Sequence, residues 1–184
     1  TNWASEAPAG GGGGAWTVTS SGVIGGTSTN AVLFQNISKP IMLIMSDWHI
    51  TTSNYNNMSM QYSINNGSSW FAGNEYRNIW WREGIVAQQN AEYYSGETNA
   101  TYAPMEQDYT GVDSYFSGIY TMLEPHGTRQ DKVWRCDYHN YAYNNKHVFG
   151  TSSGIVYTHS AINCIQLNNH QHNFGGRYTL LELN

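Results

Sequence analysis

Residues 41–71 read IMLIMSDW (41–48), HITTSNYNN (49–57), MSMQYSI (58–64) and NNGSSWF (65–71), and the fold class turns on how these pieces alternate. In the third piece Met58, Met60, Tyr62 and Ile64 fall on one side of a period-two pattern. Ser59, Gln61 and Ser63 fall on the other, as in a strand with one wet face. Residues 41–45 are apolar at every position and too short for a helix, which predicts a second strand, covered on both faces and paired with the first. Asn65-Asn66-Gly67 accepts positive φ and closes the strand in a turn, after which Trp70 and Phe71 restart an apolar run. The expectation is an all-β protein, an antiparallel β-sandwich of jelly-roll-like or other Greek-key type.

Working outward, residues 15–20, 31–37, 76–82, 114–123, 132–139, 154–167 and 177–183 read as further strands, about nine in all. In residues 114–123, Phe116, Tyr120 and Met122 share one side and Tyr115 and Ile119 the other, which predicts an interior strand. Residues 83–111 are polar with neither helical spacing nor sustained alternation, and read mostly as a long loop. Residues 1–14, ending in the glycine run 10–14, read as a flexible N-terminal tether on a single sandwich domain of residues 15–184. A disordered tail is the alternative. Trp3 is a candidate anchor there, because a large ring in a polar tail can plug a partner's pocket. A first residue of Thr fits either a chain trimmed of its initiator Met or a shortened one.

The chain of 184 residues carries 11% charged and 14% aromatic residues, so Asn, Ser, Thr and Tyr supply its polarity. A formal net charge of −5 gives no basic face for a phosphate backbone, so nucleic acid is not an expected partner. No run of about 18 apolar residues predicts membrane insertion. Cys136 and Cys164 lie in separate apolar strands. Buried free thiols are favoured over a disulfide, and neither reading makes them catalytic. The seven histidines have no familiar metal-site context; His170 and His172 at i, i+2 sit among Asn and Gly and read as loop. Neither a G-x-S-x-G turn nor a distinguishable carboxylate pair points to hydrolase chemistry, so no catalytic residue, cofactor or metal is expected.

Tryptophans 48, 70, 80, 81 and 134 read mostly as core. Tyr93, Tyr94, Tyr102, Tyr109, Tyr141 and Tyr143 lie among Asn, Ser and Gly, a composition that suits a recognition surface for a sugar receptor or a neighbouring subunit.

Residues 63–70, Ser-Ile-Asn-Asn-Gly-Ser-Ser-Trp, resemble the S-x-D-G-G-S-x-W turn of small β-sandwich proteins and domains of tailed-phage virions, with Asn65-Asn66 where Asp-Gly is usual. The strands around FQNI and IMLIMSDW precede the turn in that family. A glycine-containing loop and a last strand follow it, here 173–176 and 177–183, with Leu181-Glu182 where Tyr-Gly is usual. The glycine run leading to Trp16 is similar too.

The resemblance implies a virion structural protein, of tail-fibre, receptor-binding or head-decoration type, assembled in the host cytoplasm and without enzyme activity. It implies a homotrimer and contacts to other virion proteins through the N-terminal segment. A carbohydrate-binding module or lectin outside a virion is the alternative. Self-association itself is expected from the low charge, through aromatics between Gln88 and Tyr109. That assignment leaves Tyr141, Tyr143, His170 and His172 facing a receptor such as a host-surface glycan.

Overall fold

The computed structural model describes residues 14–25, 31–50, 58–72, 75–86, 89–98, 103–104, 115–142, 146–168 and 173–184. Their elements are strands: β1 (Trp16–Ile24), β2 (Ala31–Gln35), β3 (Ile41–Ile50), β4 (Ser59–Ser63), β5 (Tyr76–Val86), β6 (Gln89–Thr98), β7 (Ala103–Pro104), β8 (Tyr115–Met122), β9 (Lys132–Ala142), β10 (Lys146–Val156), β11 (Cys164–Asn168) and β12 (Phe174–Leu183). They form two antiparallel sheets, an eight-stranded one ordered β1-β12-β3-β8-β9-β10-β5-β6 and a four-stranded one ordered β2-β11-β4-β7. From β1 to β4 the chain alternates between the sheets, and from β7 through β8, β11 and β12 it does so again. The hairpins β5–β6 and β9–β10 extend the large sheet beyond β8.

The core lies between the sheets. Leu43, Met45, Trp48, Phe116, Tyr120, Met122, Trp134 and Leu180 of the large sheet meet Phe34, Met60, Tyr62, Ile165 and Leu167 of the small one. Tyr62 and Tyr120 share a hydroxyl–hydroxyl bond of 2.9 Å across it, and Phe34 meets Tyr178 edge-on at 5.3 Å between centroids.

Pairing differs from the expectation for β3 and β4. They lie in opposite sheets, β3 between β12 and β8 and β4 between β11 and β7. The stretch 51–58 is longer than the roughly two to five residues of a hairpin loop, so the chain is free to cross the sandwich. Along β4, Met58, Met60 and Tyr62 are buried as the alternation requires. Ser59 and Ser63 are buried too, and Ile64 is 41% exposed, contrary to the reading of one wet face. The serines are accommodated because each hydroxyl is satisfied. Ser59 Oγ donates to Asn168 Oδ1 at 2.7 Å, and Asn168 Nδ2 donates to Gln61 Oε1 at 2.9 Å. Ser63 Oγ donates to Asn65 Oδ1 at 2.7 Å and accepts from the N–H of Asn65 and of Gly67. Ile64 is carried outward by the turn, in which Asn66 and Gly67 take φ of 58° and 90°.

On β3, Ile41, Leu43 and Met45 are buried but Ile44 is 38% exposed, so this strand is covered on one face only. At Asp47, with φ 56°, the pairing with β8 slips between Met45 and Trp48, as does the β12 register between Gly175 and Arg177. The bulge turns Trp48 inward, where it stacks on Phe174 at 4.8 Å and donates its indole N–H to the Arg177 carbonyl. Gly176, at φ 149°, makes room: a Cβ there would sit 2.8 Å from Trp48 Cδ1. A second close fit surrounds Tyr138, which lies in register between Gly118 on β8 and Gly150 on β10. A Cβ on Gly150 would strike the Tyr138 ring, and one on Gly118 would come within 3.2 Å of Tyr138 Cβ.

Residues 83–111 are not mostly loop, for β5 runs to Val86 and β6 covers Gln89–Thr98. A strand at the end of a sheet needs no continuous apolar face, and the polar sequence hid it. Residues 154–167 contain parts of two strands, because the chain leaves the large sheet at Val156 and joins the small one at Cys164. Cys136 and Cys164 therefore sit in different sheets, free and buried. Burial pushes the Cys164 thiol up to about 11. The loops at this end are sewn together. Ile162 N–H donates to Pro125 O, His126 Nε2–H to Ile37 O at 2.6 Å, and Ile37 N–H to Asn163 O. The buried ammonium of Lys132 donates to the carbonyls of Gly127, Gln130 and Thr158. Burial lowers the Lys132 pKa, against the opposing pull of Asp131 and Glu124.

Candidate functional site

The outward face of the large sheet follows from the same alternation that fills the core. In β9, Trp134, Cys136, Tyr138 and Asn140 point inward, which leaves Val133, Arg135, Asp137, His139 and Tyr141 outward. Antiparallel register then builds rows across strands: Tyr115, Tyr141 and His147 in one; Ser117, His139 and Phe149 in the next; Ile44, Ile119, Asp137 and Thr151 in a third. Tyr115, Ile119, Val133 and Phe149 are about half exposed.

Two chemistries share the face. Near the end where β9 passes into β10, rings gather. His139 Nε2 and His147 Nδ1 lie 3.0 Å apart, one donating to the other, with the ring planes only 8° apart. His139 also stacks on Phe149 at 4.6 Å, Tyr141 meets His147 edge-on at 5.1 Å, and His49 lies 5.7 Å from Tyr115. Burial lowers the His139 pKa, and the neighbouring His147 lowers it further. Such a bond needs one nitrogen without a proton, so the pair holds together while at least one ring is neutral.

Toward β3 and β1 the face is aliphatic, with Val18, Ile44 and Ile119 exposed. Between the two regions Arg135 Nη2 donates to Asp137 Oδ1 at 2.8 Å, Arg135 Nε reaches the same carboxylate, and Thr151 Oγ1 donates to it. The hydrogen bond from Arg135 is the main cause holding the Asp137 carboxyl below its ordinary range.

Of the residues singled out from sequence, Tyr141 is placed in this ring cluster. Tyr93 and Tyr94 lie on strand β6, their backbones opposite Glu83 and Arg82, and not on a loop. Trp3, Tyr102, Tyr109, Tyr143, His170 and His172 lie outside the described residues. The sequence reading passed over His139, His147, Phe149, Tyr115 and His49 as binding residues. Their signal was the parity of β8, β9 and β10, which puts every one of the first four on the side opposite the core. Among the described residues no group of three or more His, Cys, Asp or Glu side chains is placed to hold a metal ion, and no helix is long and apolar enough to cross a membrane.

Comparison with known proteins adds no identity: the chain matches no protein-family model, no curated protein and no solved structure.

Proposed function

We propose that the chain is a structural protein on the surface of a tailed-phage virion, a tail-fibre, receptor-binding or head-decoration subunit. It works by assembling with copies of itself, most simply as a trimer, and with other virion proteins through its N-terminal segment. The observation that carries this reading is the outward face of the large sheet, a broad surface of exposed Ile, Val, Phe and Tyr whose central charges cancel as the Arg135–Asp137 pair. Exposed apolar area on this scale is characteristic of association surfaces. The nested strand order, β1-β12-β3-β8 against β2-β11-β4-β7, supports a jelly-roll core, an architecture common in capsid proteins. The S-x-N-N-G-S-S-W turn supports the virion assignment through its resemblance to that family. Immunogold electron microscopy of phage particles encoding the chain tests it: label on tail or head is expected, and particles without label contradict it.

A second reading, a carbohydrate-binding module or lectin, is favoured by the ring cluster of Tyr115, Tyr141, His147 and Phe149, because flat rings flanked by small polar groups suit sugar faces. Glycan-array binding by the isolated protein, with no reducing ends released, would support it over an enzyme.

A further inference from the structure

We infer that the outward face of the large sheet seats a second copy of this chain. This deepens the reading given above, on which the self-association rests, by naming the surface. Size is the first support. Eight strands spaced about 4.8 Å apart, and five side-chain rows about 6.8 Å apart along β9, give a face on the order of 900 Å2. A stable interface takes about 800 Å2 from each partner.

Charge is the second support. Burying a lone charge is costly, but here Arg135 and Asp137 are already joined at the centre of the face, and Asp47 and Arg177, beside it on β3 and β12, again supply one of each sign. An arrangement with as many positive as negative groups is complementary to itself. It offers no net charge to a phosphate backbone or an anionic lipid surface, and the chain as a whole, at −5, is suited to neither.

The third support is a contrast within the fold. Asn168, on the outward side of the small sheet, is buried by bonds to Ser59 and Gln61. On the large sheet Ile44 and Ile119 are direct cross-strand partners and are left 38% and 45% exposed. A second copy laid over them removes that apolar surface from water.

Light scattering on the full chain, with Ile119→Lys and Leu33→Lys, tests the inference. Leu33 is 52% exposed on the small sheet and serves as the control. The wild type and Leu33→Lys are expected at a multiple of 20.6 kDa, and Ile119→Lys at 20.6 kDa with its thermal transition retained, or with at least a tenfold weaker association. An assembled wild type that Ile119→Lys leaves intact overturns the inference but leaves the self-assembling function standing, as does dissociation by Leu33→Lys alone. A wild type at 20.6 kDa up to tens of micromolar overturns both.

Discussion

The outward sides of the two sheets solve the same problem in opposite ways. On the small sheet, polar groups are buried and bonded to one another: Ser59 to Asn168, Asn168 to Gln61, Ser63 to Asn65, and Asn163 to the Asn66 N–H and the Ile64 carbonyl. On the large sheet, apolar and imidazole side chains are left open, with Phe149 and Ile119 about half exposed. The first surface is finished by its own chain, whereas the second is finished by something else. The difference places stability on one side of the sandwich and association on the other.

Both surfaces depend on the core they share, so the largest effect comes from beneath them. Met60→Asp puts an unpaired carboxylate at a fully buried position and should cost about 3–5 kcal/mol, read as a large fall in melting temperature. An unchanged transition would mean that β4 does not lie where it is described.

Next comes the closed surface. Asn168→Ala removes the partner of both Ser59 and Gln61 and should cost about 1–3 kcal/mol in denaturant unfolding. Phe149→Ser on the open surface should stay within about 0.5 kcal/mol. Equal losses at the two sites would erase the contrast.

Much of this was legible in the sequence. The alternation of Met58, Met60 and Tyr62 predicted their burial, and the parity of residues 114–123 put Phe116, Tyr120 and Met122 inside and Tyr115 and Ile119 outside. What hid the rest has physical causes. Period two reports which side a residue faces but not whether that side is wet, so Ser59 and Ser63 were misplaced once Asn168 and Asn65 supplied partners from distant or turn residues. Pairing of β3 with β4 could not be judged from adjacency, because the choice between hairpin and crossover rests on the connection. The bulge at Asp47 has no sequence mark beyond a residue that tolerates φ 56°. His139 and His147, eight residues apart, meet only through the β9–β10 register.

Thiol chemistry sharpens the picture of a closed interior. Cys136 and Cys164 are buried, and the Cys164 thiol is pushed up to about 11. A thiol reagent at neutral pH should titrate neither in the folded protein and both in denaturant; prompt reaction in native buffer would contradict this.

The smallest effect is on the open surface. His139 takes up its proton less readily when folded than when unfolded, so the unfolded chain binds more protons as pH falls through the ordinary histidine range near 6.5. Stability should therefore decline slightly across that window. His147→Gln should raise the His139 midpoint only part of the way in an NMR titration, because burial is the larger cause. Full restoration would make the neighbouring charge the larger cause instead.

The central claim is that the open surface is covered when the protein assembles. Hydroxyl-radical footprinting of the full chain at low and high concentration tests it directly. Tyr115, Ile119, His147 and Phe149 should become protected as concentration rises, while Leu33 and Tyr157, exposed elsewhere, keep their reactivity. Protection of Leu33 with no change at Ile119 and Phe149 would contradict it.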